Sequence, residues 1–407
     1  MGLYIGISCL HSNWHGLSVS VDSGEVNHGE AGGLPKILDK FSGFADVEAI
    51  ARLNGRGISD KSVGESCPES DSQIDRVNQA FNRLEDDGVG EYFMELKRGL
   101  SSKIAGIVHP YTLSQISRYA LIAFFYEDPI SNFVRAERNS LPANAREGKP
   151  AFCALEAPLA VVLQQIVSGV ISTGATVAVV SPGVDEWELT TVSLSFIDGT
   201  LNGSVKAFGT CSFAAAPNDV DVLLAAAGVS VDDVLLVGNV SEAVVKVQDT
   251  IAGCSVRAVA EVNAAIGAAI YAALCGGEAV RCSEGAITDV EFQLLAPYPI
   301  GICQIAAAEQ DPSVVWCPII EAGDSLTETL KPVRADEATD VFLAECLSKS
   351  RAPGEWVTET SDLRWHSHIQ MPAGSNNKGK TLKVAVSSSA GCLNYGWSDQ
   401  FARISIS

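Results

Sequence analysis

The chain has 407 residues, of which 47% are hydrophobic, and it carries a formal net charge of −21. This length and composition exclude a disordered protein and leave room for a large core and two or three domains. The 49 acidic residues, set against 28 basic ones, exclude direct nucleic-acid binding, because such binding relies on Lys and Arg at the phosphates. A basic partner would be easier to accommodate.

The sequence predicts a protein of the cytosol or of an organelle matrix. The longest strongly apolar stretches are interrupted, for example residues 151–180 by Glu156, Pro158 and two glutamines, so we expect no membrane-spanning segment. The N-terminus lacks the basic start and the cleavage site of a signal peptide. The 11 cysteines include no Cys-x-x-Cys pair, which favours reduced thiols over a disulfide framework. We therefore expect a cytoplasmic protein whose cysteines are mostly small core residues.

The first domain, predicted over 1–285, follows the pattern of an α/β domain with two similar halves. Hydrophobic runs predict strands over 3–7, 16–21, 119–125, 176–180 and 189–196. Helices are predicted over 129–139 and 155–170, and amphipathic helices over 74–107. Tight turns are expected at Asp22-Ser23-Gly24 and at Asp198-Gly199.

A later segment has the pattern of a nucleotide-pocket wall. A buried strand that starts at Val234 runs into Gly238, and a helix of small residues is predicted over 263–274. Backbone amides at such a turn and at the helix start point towards one place, where a phosphate is readily bound. The segment predicts one side of a nucleotide-binding pocket.

Beyond Gly277 the helical pattern gives way to short strands. Apolar and polar residues alternate with period two over 341–347, 362–370, 381–386 and 401–406. Proline and glycine separate these runs at intervals of about ten residues, as is typical of a β-sandwich. We therefore predict a second, all-β domain after a boundary near 278–292.

Several of these segments resemble the seventy-kilodalton heat-shock chaperone family, in order and over nearly the whole chain. The matching segments are Val237-Gly238-Asn239, Lys246-Val247-Gln248, Arg52-Leu53-Asn54-Gly55-Arg56, 3–7, 154–163, 177–194 and 289–301. The resemblance implies an α/β plus β fold: a reduced, actin-like (ribonuclease-H-like) two-lobed domain over 1–285, a linker over 286–293 and a peptide-binding β-sandwich over 294–407. It also implies that one sublobe is missing between about 200 and 233, and that no helical lid follows the sandwich.

The family hydrolyses magnesium-bound ATP with carboxylates, a lysine and hydroxyl groups, and the resemblance implies that most of these have been replaced. The first phosphate loop starts at Ser8 instead of an aspartate, Ala51 replaces the lysine, and the second loop starts at Ser181. The degenerate positions are Ser8, His11, Ala51, Ser181, Glu186 and Glu188. We expect no hydrolysis, no metal site and no cofactor, with ATP binding weak if it occurs, because the remaining carboxylates repel a triphosphate.

The remaining pocket wall is interpreted as preserved packing. Its residues are Gly6, Gly183, Gly238, Asn239 and Gly267. They record an ancestral fold and predict no confident cofactor contact.

Three further patterns have both a functional and a simpler explanation. Residues 374–381 match a P-loop, but strand-like alternation follows them, which favours a hairpin loop. His366 and His368 share one face of a strand and are either metal ligands or a surface pair. A third set, either a Cys-His dyad or metal site or the remnant of a lost phosphate loop, consists of Cys9, His11 and His15.

The sequence thus suggests a catalytically inactive, chaperone-like scaffold or co-chaperone subunit of a larger assembly. The family resemblance implies protein partners, among them a J-domain protein or the ribosome. Two alternatives stay open at this point: a structural component of a cytoskeletal, axonemal or organellar complex, and a weak ATP-binding folding chaperone.

Overall fold

A computed structural model describes most of the predicted strands and two helices. It covers residues 2–10, 13–30, 105–109, 111, 152–182, 186–212, 230–238, 253–306, 313–326, 329–331, 340–346, 356–357, 363–368, 382–387, 392–397 and 400–406. Strands dominate these residues, and both helices belong to the N-terminal three quarters of the chain.

The first unit is a five-stranded mixed sheet followed by a helix. Its elements are β1 (Gly2–Leu10), β2 (Asn13–Asp22), β3 (Glu25–Glu30), β4 (Ala105–His109), β5 (Phe152–Glu156) and α1 (Ala157–Val167). The strand order is β3-β2-β1-β4-β5. The first three strands form an antiparallel meander, whereas β4 lies parallel to β1 and β5 parallel to β4.

The second unit repeats this arrangement. Its elements are β6 (Thr176–Pro182), β7 (Glu186–Ile197), β8 (Thr200–Ser212), β9 (Asp233–Val237), β10 (Ser255–Val259) and α2 (Val262–Cys275). The order β10-β9-β6-β7-β8 mirrors that of the first sheet, again with an antiparallel meander and two parallel strands. After the hairpin of β11 (Val280–Cys282) and β12 (Gly285–Ile287), β13 (Asp289–Gln293) adds a sixth strand, parallel to β8. The segment predicted as a linker therefore contains a strand of the second sheet.

Matching two-residue turns close the hairpins of the two units. Ser23 and Gly24 have φ values of 54° and 85°, and Asp198 and Gly199 have 50° and 85°. Two consecutive positive φ values define the turn type whose twist suits a β-hairpin. Both turns predicted from the sequence are confirmed.

The two buried helices cross at Gly267 of α2, which has no side chain. A Cβ built on Gly267 of α2 would lie 1.8 Å from the carbonyl oxygen of Ala160 in α1. The helix α2 also lies directly on the first sheet, because Cβ atoms on Gly6 and Gly106 would lie 1.9 Å from carbonyl oxygens of α2. The helix that follows the second sheet thus packs on the first one, which joins the two units into one core.

The C-terminal part consists of two antiparallel sheets. Its strands are β14 (Ile300–Ala306), β15 (Ser313–Ile320), β16 (Thr329–Lys331), β17 (Asp340–Cys346), β18 (Trp356–Val357), β19 (Leu363–His368), β20 (Leu382–Ser387), β21 (Cys392–Trp397) and β22 (Gln400–Ile406). The sheet orders are β18-β15-β14-β17-β19 and β16-β20-β21-β22. The four strands predicted after residue 340 are confirmed.

Some predictions need correction. Residues 105–107 were predicted to end an amphipathic helix but form β4, whose Gly106 contacts the backbone of α2. Strands β8 and β10 were not predicted. The predicted elements over 74–104, 119–125 and 129–139 lie outside the described residues. Within the described part of the chain, neither helix has the length and apolar character needed to cross a membrane.

Candidate functional site

Four polar side chains with almost no solvent exposure mark the candidate site. The exposed fraction is 0% for Ser8, Ser181 and Glu188 and 2% for Glu156. Carboxylates are rarely buried to this extent without a specific role or partner. We call these four residues the polar cluster.

The first unit contributes Ser8 and Glu156 from two parallel strands that flank β4. Ser8 lies near the C-terminal end of the central strand β1 and is in register with Val108 of β4. Glu156 ends β5, in register with His109 of β4, and directly precedes α1. The C-terminal ends of parallel strands meet at one edge of a sheet, where α/β proteins bind their ligands.

The second unit contributes Ser181 and Glu188 from an antiparallel pair. Ser181 lies near the end of the central strand β6, directly opposite Glu188 of β7. Ser181 therefore holds the position in the second sheet that Ser8 holds in the first one. Val179 and Val177, two and four residues before Ser181 on β6, belong to the core that the two units share, so this pair faces the interior between the units.

Tyr111, two residues beyond β4 of the first unit, contacts the half of the polar cluster that the second unit contributes. Its backbone N–H donates a hydrogen bond of 2.7 Å to Oε2 of Glu188. Its ring packs on Phe208 of β8 with a centroid distance of 4.9 Å. Its hydroxyl donates to the carbonyl oxygen of Leu295 and accepts a 2.7 Å hydrogen bond from the Leu295 N–H. One residue of the first unit thus covers the carboxylate of the second unit.

Buried hydroxyl groups around the cluster lack hydrogen-bond partners. Among the described residues, this holds for the side-chain oxygens of Ser8, Ser181 and Thr190. A buried, unsatisfied hydroxyl costs about 1–3 kcal/mol. Local rules of this kind are broken most often at functional or strained sites.

On the two central strands the polar cluster carries hydroxyl groups, and its two carboxylates, Glu156 and Glu188, lie on other strands. Hydrated magnesium is bound through carboxylates, and the two matching positions on the central strands carry the neutral hydroxyls of Ser8 and Ser181. The carboxylate of Glu188 is fully buried and accepts the N–H of Tyr111. Within the described residues, no group of three or more His, Cys, Asp or Glu side chains could hold a metal ion.

The helix α2 begins beside a second acidic residue. Glu261 precedes α2 as Glu156 precedes α1, and its Oε2 lies 3.3 Å from Nε2 of His15 on β2. Gly238, whose φ is +107°, lies close to the Glu261 carboxylate. His15, predicted as a member of a Cys-His or metal set, therefore contacts the start of α2 and ties it to the first sheet.

The other predicted site residues fall into three groups. Gly6 and Gly267 lie where helix backbones approach too closely for a side chain. Glu186 begins β7. The predicted positions outside the described residues are His11, Ala51, Gly183 and Asn239.

The P-loop pattern precedes a strand rather than a helix. Residues 374–381 lie outside the described part, but β20 begins at Leu382, directly after the pattern. Without a helix N-terminus the pattern lacks the amide donors that a P-loop uses.

His366 and His368 both lie on β19, where the register with β17 shifts.

A second hydroxyl anchors the far end of α2 to the first sheet. The hydroxyl of Tyr4 on β1 donates a 3.0 Å hydrogen bond to Oε1 of Glu278. Burial, followed by this hydrogen bond and by the charge of Glu278, raises the pKa of Tyr4 to about 12. In the folded protein Tyr4 therefore keeps its proton to a higher pH than an exposed tyrosine does.

Sequence reasoning did not identify Tyr111. Its contacts to Glu188 and Leu295 span 77 and 184 residues, and no local pattern encodes them. The only local signal is an aromatic residue that follows a short apolar run and a proline.

Comparison with known proteins gives no assignment, since no family model and no curated protein matches the chain.

Proposed function

We propose that this protein is a catalytically inactive, chaperone-like scaffold or co-chaperone that holds protein partners without hydrolysing ATP. The observation that carries the proposal is the pair of buried serines, Ser8 and Ser181, at matching positions of the two central strands. In the chaperone family that the sequence resembles, these positions carry carboxylates. A neutral hydroxyl in each place removes the charge on which nucleotide chemistry depends.

The repeated strand order supports an actin-like ancestry in this proposal. Each unit has an antiparallel meander, two parallel strands and a following helix. The helices α1 and α2 cross in the shared core at Gly267. A nucleotide machine of this kind needs its two units to move, whereas here Tyr111 bridges them through Glu188 and Leu295. We infer a static arrangement.

The C-terminal sheets are the proposed partner-binding part. They follow β13 and consist of antiparallel strands, the architecture that the resemblance connects with peptide binding. With a net charge of −21, a basic protein partner is favoured by attraction at long range. A J-domain protein or the ribosome in the cytosol is the partner class that we propose to test first.

Affinity purification with and without nucleotide tests this function. The full chain, tagged, is incubated with lysate and washed with buffer that contains magnesium alone or magnesium with ATP, and bound proteins are quantified by mass spectrometry. A static scaffold retains the same proteins in both washes, and none of them is retained by the tag alone. Release of the bound proteins by ATP, or retention no greater than that of the tag, would refute the proposal.

The identity of the retained proteins separates the partner classes. Ribosomal and J-domain proteins support a ribosome-associated role. Axonemal or organellar proteins instead support a structural role in such a complex and contradict the ribosomal one.

A further inference from the structure

Two thiols from different units meet at the C-terminal end of α2. Cys275 is the last residue of α2, and Cys153 is the second residue of β5. Neither is in a disulfide, and a hydrogen bond joins the Cys153 thiol to the Cys275 sulfur. The contact connects the first sheet to the helix that follows the second one.

Register and helix periodicity place both thiols in the same interface. Cys153 is in register with Gly106, whose missing Cβ faces the backbone of Ala268 in α2. Partners in a parallel pair share one face of the sheet, so Cys153 also faces α2. Cys275 follows Ala268 by seven residues, which puts it on the same face of the helix two turns further on.

We propose that Cys153 and Cys275 form a redox-sensitive pair, which a hydroperoxide converts into a disulfide that locks α2 onto the first sheet. Cys275 is the less deeply buried residue of the pair, since Cys153 is only 1% exposed. The attack on the oxidant therefore belongs to Cys275, and Cys153 is the resolving thiol. The disulfide would cross-link the two units of the core.

The electronic environment favours the same order of events. The hydrogen bond from Cys153 lowers the pKa of the Cys275 thiol, burial acts in the opposite direction, and a hydrogen bond with Tyr271 lowers it further. The thiolate is the reactive form of cysteine. A lowered pKa therefore favours Cys275 as the nucleophile.

The proposed reaction balances with one hydroperoxide. The Cys275 thiolate attacks an oxygen of the O–O bond, which breaks, so that a sulfenic acid forms and the other oxygen leaves as alkoxide and takes up a proton. The Cys153 sulfur then attacks the sulfenic sulfur, loses its proton, and displaces hydroxide, which is protonated to water. Two thiols lose two electrons and two protons, and the peroxide is reduced to an alcohol and water.

Peptide mapping of the oxidised full chain tests the proposal directly. The reduced protein is treated with hydrogen peroxide, remaining thiols are alkylated, and the digest is searched for disulfide-linked peptides. The main linked pair should join the peptides of Cys153 and Cys275, and dithiothreitol should abolish it. No such link, or a link of Cys275 to Cys282 as the main product, would overturn the proposal.

Matched variants add a control for general oxidation. Cys254→Ser removes a partly buried thiol of the second unit and should leave the link unchanged, whereas Cys275→Ser should abolish it. Oxidation should raise the thermal midpoint of the wild type and of Cys254→Ser by several degrees, reversibly, because a disulfide restricts the unfolded chain. An equal shift in Cys275→Ser would contradict the proposal, and mapping of the wild type remains decisive even if that variant does not fold.

Discussion

Substitution of Ser181 by alanine and by aspartate tests whether the polar cluster is a closed core or an open nucleotide site. Ser181→Ala removes a fully buried hydroxyl without a hydrogen-bond partner, so we expect stability to rise by up to about 1–3 kcal/mol. Ser181→Asp places a carboxylate opposite Glu188. At roughly 5 Å and an effective dielectric constant of about 20, the repulsion of two carboxylates is about 3 kcal/mol. Burial of the new charge adds several kcal/mol.

The pH dependence of Ser181→Asp provides a second readout. Burial and the charge of Glu188 should raise the pKa of the new carboxyl group in the folded state. The protonated form is then favoured by folding, so the variant is least destabilised below the unfolded pKa of about 4 and loses stability as the pH rises through the folded pKa. Urea unfolding measured between the unfolded and the folded pKa of this carboxyl group should show a difference in the free energy of unfolding between variant and wild type that grows as the pH rises.

A matched control lies on the strand opposite. Ser195 of β7 is exposed, so Ser195→Asp and Ser195→Ala should each change stability by less than about 0.5 kcal/mol. If Ser181→Asp is tolerated as well as Ser195→Asp, the reasoning is refuted, because the site would then be open to solvent.

Three further predictions concern the contacts between the units. Gly267→Ala should destabilise the protein by roughly 1–3 kcal/mol in thermal unfolding, because its Cβ would lie 1.8 Å from the Ala160 carbonyl oxygen. The control is Gly29→Ala, whose Cβ would meet nothing within 4 Å. Equal thermal midpoints of the two variants would contradict the helix crossing. Tyr111→Phe removes both hydrogen bonds to Leu295 and should cost about 1–3 kcal/mol in urea unfolding; an unchanged midpoint would count against the bridge. Because the folded pKa of Tyr4 is raised from 10.0 to about 12, its stabilising effect is complete below the unfolded pKa and is lost as the pH rises towards the folded pKa. Alkaline unfolding of Tyr4→Phe should therefore be less steep in this range than that of the wild type, and identical curves would show that the contact to Glu278 has no role.

Turns and the small-residue helix could be predicted from the sequence because their signals are local. Asp198-Gly199 supplies the two residues that a tight hairpin turn needs, and the alanines of α2 suit a buried helix in contact with backbone. Strand β8 was missed because glycine interrupts its pattern. Gly203 is required there, since its Cβ would lie 2.6 Å from the ring of Phe292 in β13, a contact that only the fold reveals.

The candidate site was predicted only in part, for a similar reason. Ser8 and Ser181 could be found because they interrupt recognisable loop patterns. Their complete burial and the cover provided by Tyr111 depend on contacts between distant strands. The sequence therefore singled out Ser8 and Ser181. The structure showed how completely the space around them is filled.

Titration of the wild-type full chain with magnesium-ATP in a calorimeter tests the central claim most directly, with a thermal shift on the same sample. A ligand at about 100 times its dissociation constant adds about 2.7 kcal/mol of stability. We predict heats equal to those of dilution and an unchanged thermal midpoint at millimolar ATP. Saturable heat of binding together with a raised midpoint would contradict the account, because the buried serines would then belong to a working nucleotide site.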